Sequence, residues 1–178
     1  MKGIIIYEGL YGPVRHYADY LNKELQLPML TPENLITLEL QLCDFAIIGT
    51  SVFMNRLFLK KWLAQYARIL QNKKVFLFIG CKAQPTEDER LNIVANNIPA
   101  FLKDSAVYFL PERIIQNRIP WTDKFVLKMG FKLKEDPFTN KEVQQIFKSV
   151  KKEKITDLVN AVKIFSRTKR KAIHSQIL

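Results

Sequence analysis

The chain has 178 residues, 48% apolar and 25% charged, which suits one folded domain with a sizeable core and excludes wholesale disorder. No apolar run reaches the roughly 18 residues of a membrane span, and the run at residues 3–7 is too short for a signal-peptide core. Two widely spaced cysteines (Cys43, Cys81) and two histidines (His16, His174) argue against a disulfide scaffold or metal site and fit a reducing, cytoplasmic setting.

Hydrophobic pattern predicts the elements in chain order. Residues 3–7 form a continuous β-branched run, the mark of a strand buried on both faces. A turn with Gly9 and Gly12 leads to Pro13, which suits a helix's first position. Val14, Ala18, Leu21 and Leu25 then predict an amphipathic helix over 13–26. Residues 27–42 hold Pro28, Pro32 and one short edge strand. Residues 44–49 read as a buried strand, and Leu59, Trp62, Leu63, Tyr66, Ala67 and Leu70 as one helix. Residues 74–79 are the most strand-like segment.

Thr86-Glu87-Asp88-Glu89 is a capping box, opening a helix with Leu91, Val94, Ala95 and Ile98 on its apolar stripe. A strand follows at 105–110. Residues 111–150 read as an irregular extra segment with a helix near 122–131. The last helix carries the stripe Ile155, Leu158, Val159, Val162 and Phe165, and residues 168–178 are expected to fray. Alternating strands and helices imply right-handed βαβ units and a single α/β domain over 1–178.

The charge is uneven. Formal net charge is +11, and residues 148–178 carry nine Lys/Arg against Glu153 and Asp157, so +7 sits in the last helix and tail. A basic end of this kind attracts an anionic membrane surface, which would make the protein peripheral there; the alternative is a solvated helix face. Nucleic acid is disfavoured, because no recognition motif or aromatic interleaving accompanies the charge.

Open parallel sheets bind ligands outside the carboxyl ends of their strands, where three loops end. The first carries Gly9, Leu10, Tyr11, Gly12, Val14 and Arg15 into a helix N-terminus, a natural anion site. The second, with Thr50, Ser51, Val52, Phe53 and Met54, offers hydroxyls, amides and apolar side chains. The third contributes Cys81 and Lys82. A phosphate-bearing planar ligand suits this set. No catalytic Ser/His/Asp set or carboxylate pair is suggested, so the catalytic residues stay unassigned.

Tyr-x-x-x-x-Gly-x-x-Arg-x-x-Ala-x-Tyr-Leu at 7–21, Asp-x-x-Ile-Ile-Gly-x-Ser at 44–51 and the extra segment at 121–129 resemble the flavodoxin family. Within it they are nearest to the short flavodoxin-domain proteins that include menaquinone-dependent protoporphyrinogen oxidase. The resemblance implies a flavodoxin-like three-layer sandwich around a five-stranded parallel sheet of order 2-1-3-4-5. It also implies FMN as cofactor, held by the three loops.

One departure stands out. The family's phosphate loop has the form Ser/Thr-x-Thr-Gly-x-Thr; here Glu8, Gly9 and Val14 replace the hydroxyls and only Gly12 is kept. Each hydrogen bond to a charged phosphate is worth about 1.5–3 kcal/mol, so three missing donors correspond to about three decades in affinity. Backbone N–H groups and Arg15 would have to compensate.

Two functions compete. One is an FMN-dependent redox protein, either an electron carrier or a quinone-linked oxidoreductase; the positive charge favours the enzyme, since the family's carriers are acidic. The other is a binding or regulatory domain that kept the fold and lost the cofactor.

Overall fold

Successive strand residues point to opposite faces of a sheet, and the apolar runs of this chain divide accordingly. Ile4, Ile6, Ala46, Ile48, Val75, Leu77 and Ile79 enter one core, while Ile5, Phe45, Ile47, Phe76 and Phe78 enter a second on the other face. A computed structural model describes residues 1–9, 13–53, 55–81, 85–102, 105–111 and 152–174, with 53, 152–154 and 170–174 described by backbone alone.

The parallel strands are β1 (Gly3–Glu8), β2 (Met29–Leu30), β3 (Phe45–Phe53), β5 (Lys74–Cys81) and β6 (Ala106–Pro111), in the order β2-β1-β3-β5-β6. Counting parallel strands alone, this is the expected 2-1-3-4-5. A further two-residue strand, β4 (Arg56–Leu57), returns antiparallel on β3. The register is continuous, with Gly3 beside Phe45 and Phe45 beside Lys74 at the strands' amino ends.

Helices cover both faces. Helix α1 (Pro13–Leu25) and the last helix, α6 (Lys152–His174), pack with the second core through Val14, Tyr17, Leu21, Ile155, Leu158 and Val162. The first core is closed by α2 (Thr37–Leu42), α3 (Lys60–Gln65), α4 (Ala67–Leu70) and α5 (Glu87–Asn97). Gly49 is required by packing: a Cβ there would collide with the Phe78 ring.

The structure corrects several expectations. The edge strand expected in 27–42 forms as β2, but helix α2 follows it unforeseen: only Leu40 of α2 reaches the core, while Leu38 and Leu42 are exposed. The single helix expected around residues 59–70 is broken at Tyr66, whose ring lies 4.7 Å from that of Trp62. On α5, Leu91 is exposed and Ile93 and Asn97 are buried instead. Helix α6 continues to His174, through residues expected to fray. The capping box forms as expected: the Glu89 amide donates to Thr86 Oγ1 (3.3 Å) and the Thr86 amide to Glu89 Oε2 (2.8 Å). The helix expected near 122–131 and the rest of 112–150 lie outside the described residues.

Candidate functional site

β1 leads into α1 on one face of the sheet, whereas its neighbour β3 leads into α3 on the other. Chain paths that diverge from adjacent strands leave a crevice between them, the topological switch point where ligands of this architecture bind. β1 ends at Glu8, in register with Thr50 of β3. Gly9 follows, and a Cβ on it would lie 2.7 Å from Val14 Cβ and 2.9 Å from Ser51 Oγ. The absent side chain therefore draws the β1–α1 junction, the first turn of α1 and the end of β3 together.

Helix α1 opens with buried Pro13 and has no acidic residue in its first turn, so its partial positive charge is unopposed from within that turn. Arg15 is exposed on the same turn. Its field reaches Tyr7, where burial pushes the phenol pKa up, Arg15 pulls it down and Asp19 raises it. Leu10, Tyr11 and Gly12 lie outside the described residues.

β3 continues past β1's last pairing, through Ser51, Val52 and Phe53, and turns back through Asn55 (φ 59°) into β4. Asparagine tolerates that left-handed conformation better than most residues. Thr50 and Ser51 are buried rather than presented on a loop. The Leu59 amide donates to Thr50 Oγ1 (3.2 Å), so this hydroxyl closes the turn after β4. Met54 lies outside the described residues, and Phe53 is placed by its backbone alone.

Asn97 of α5, which the sequence did not single out, holds this hairpin. Only 3% exposed, its Oδ1 accepts from the Leu57 amide (3.1 Å), and its Nδ2 donates to the carbonyls of Asn55 (2.7 Å) and Ile93 (2.9 Å). The spacing Ile93–Asn97, one helical turn on an apolar face, was the available signal.

Cys81 is the last residue of β5, beside Pro111. Its thiol is buried and directed at the Leu110 carbonyl, 3.6 Å away; Lys82 lies outside the described residues. Pro111 ends β6, and its carbonyl accepts from the buried Tyr17 hydroxyl (2.8 Å), which fixes α1 to the carboxyl edge of the sheet. Among the described residues no group of His, Cys, Asp or Glu could hold a metal ion, and no helix is long and apolar enough to cross a membrane.

The structure thus brings together Gly9, Val14, Ser51 and, in register with Glu8, Thr50. Val52 stands beyond them, paired with Leu57 in the hairpin.

Solved structures similar to this chain include a WrbA-like flavodoxin from Agrobacterium tumefaciens at 12% identity, covering 65% of this chain and 86% of that one with a TM-score of 0.47. Flavodoxin 1 from Bacillus cereus is 14% identical over 73% of this chain and 95% of that one (TM-score 0.43). A Fusobacterium nucleatum flavodoxin bound to flavin mononucleotide is 14% identical over 74% and 100% (TM-score 0.39). At these scores the likenesses carry no weight of their own. No curated protein matches the chain. A family model described as a flavodoxin domain matches residues 4–141, most of the sequence, and the chain belongs to that family.

Proposed function

We propose that this domain binds FMN in the crevice between the β1–α1 junction and the β3–β4 hairpin and serves as a flavin-dependent redox protein. The observation that carries the reading is the convergence at Gly9, which sets a carboxylate-free helix N-terminus against the end of β3 at the switch point. Family membership supports it independently.

The donor set fits a phosphate. Pro13 has no N–H, so Val14 and Arg15 would offer main-chain donors and Arg15 its guanidinium. The buried Thr50 hydroxyl serves the fold rather than a ligand. The hairpin held by Asn97 would set the position of a flat ring beside it. When bound, a flavin supplies the electron chemistry, and the protein supplies orientation, electrostatics and water exclusion.

The finer reading is a quinone-linked flavin oxidoreductase resembling the protoporphyrinogen oxidase group. A net charge of +11 supports this over a carrier that docks on basic faces. A cofactor-free binding domain is favoured by one observation: Glu8 ends β1 just before the junction, adding a negative charge where the family's loop carries a hydroxyl.

The test is an absorbance spectrum of the purified protein followed by titration with FMN, read by flavin fluorescence. Flavin bands, or saturable quenching in the micromolar range or below, are expected, and quinone reduction assays then address the finer reading. No bound flavin and no saturation at high FMN would leave the cofactor-free domain.

A further inference from the structure

The edge of the sheet opposite the crevice carries a basic surface unrelated to the flavin reading. Helix α6 runs antiparallel to the strands. Phe165 is the last of its residues to join the core, where its ring lies 5.9 Å from both Phe45 and Phe76 near the strands' amino ends. The helix then continues to His174, a further nine residues or about 13 Å of helix beyond that contact. From Leu158 to Leu178 the sequence has no acidic residue, and Arg167, Lys169, Arg170 and Lys171 fall in the projecting turns.

The same edge gathers cations from the sheet. Lys74 lies in register beside Phe45, with its ammonium 5.7 Å from the Phe76 ring; that of Lys169 lies 5.8 Å from the Phe165 ring. Lys74 and Lys169 therefore flank one aromatic cluster. Lys2 is exposed just before β1. Lys73 adds a cation, its ammonium donating to the Gln41 and Cys43 carbonyls. Among the described residues, two acids near this edge have partners: Asp44 Oδ2 accepts from the Lys2 amide (2.6 Å), and Glu24 lies 3.7 Å from Lys163.

We infer that this edge, with the projecting turns of α6, docks on an anionic lipid surface. Exposed cations on a helix and an adjacent sheet edge match the attraction of polybasic segments to acidic headgroups. Ile164, 64% exposed on the same helix, supplies an apolar side chain among them for the headgroup boundary. Nucleic acid fits less well, because Phe45 and Phe76 are buried beneath the cations and offer no platform on which bases could stack.

The test is sedimentation of the full chain with phosphatidylcholine vesicles, with and without phosphatidylserine, across a salt series. Binding is expected only with phosphatidylserine and should fall as salt rises. The double variant Arg167→Gln/Lys169→Gln should lose roughly thirtyfold in partitioning, about fivefold per cation. The matched double Lys61→Gln/Arg68→Gln, exposed on α3 and α4, should change it little. Both doubles should melt as the parent does, so a lost interaction is not a lost fold. Equal binding to both vesicle types, equal loss in both doubles, or tighter binding to a short DNA duplex than to the acidic vesicles would overturn the inference.

Discussion

Replacing Asn97 by Ala tests whether one buried amide holds the hairpin over the crevice. The substitution leaves the Leu57 N–H, on a buried residue, without its acceptor; an unsatisfied buried donor costs about 1–3 kcal/mol. Loss of the Nδ2 bond to the Asn55 carbonyl adds about 1 kcal/mol, for a total of about 2–4 kcal/mol. At this chain length each kcal/mol moves the melting midpoint by about 2–4 °C, so a fall of roughly 4–16 °C is expected. Asn97→Asp keeps an acceptor for Leu57 but turns a carboxylate toward the Asn55 and Ile93 carbonyls. It should therefore be weakest at neutral pH and recover on acidification. The assay is thermal unfolding together with amide exchange at residues 55–57, which should speed up in Asn97→Ala more than exchange in β5 does. Asn96→Ala is the control, because Lys60 uses the Asn96 main-chain carbonyl and not its side chain. A midpoint for Asn97→Ala within a degree of the parent, with unchanged exchange at 55–57, would refute the reasoning.

Gly9→Ala should lower stability by about 1–3 kcal/mol, read by urea unfolding, since the new methyl meets Val14 and Ser51 inside normal contact distance; it should also weaken FMN binding. Arg15→Gln should reduce FMN affinity about tenfold at low salt and less at high salt. It should also move the Tyr7 titration further upward, visible as tyrosinate absorbance, because Arg15 is the group that lowers it. Stability should hold at neutral pH and decline above about pH 9. Burial raises Cys43 from its ordinary value of 9.0, and Tyr7 and Tyr108 from 10.0, so the unfolded chain ionises first as pH climbs. Thermal midpoints across the alkaline range check this, and a midpoint that rises there would contradict it.

The strands were legible because burial on both faces leaves an uninterrupted apolar run, as in β5, where every residue after Lys74 is buried. The capping box was legible because both partners lie within one turn of the chain. Helix α2 and the face of α5 were not, since Leu38, Leu42 and Leu91 are apolar yet exposed, and a pattern reading assigns such residues inward. The site was half legible. The β1–α1 junction shows itself through Gly9 and Pro13, but the extension of β3 depends on distant partners: β1 and β5 for Thr50 and Ser51, β4 for Val52 and Phe53. Thr50 and Ser51 looked like loop donors because nothing local reveals that the sheet continues through them. Asn97 stayed hidden because its partners Asn55 and Leu57 lie about forty positions away.

The tether from Tyr17 to Pro111 bears on how this architecture can change over evolutionary time. Pro111 closes β6 at the carboxyl edge, and α6 sets out from that same edge to run back along the sheet. The connection between them, residues 112–151, therefore begins and ends at one rim of the sheet. The closure entropy of such a connection grows only with the logarithm of its length, about 0.6 kcal/mol for each doubling. Lineages can therefore lengthen, shorten or exchange it without renegotiating the sheet.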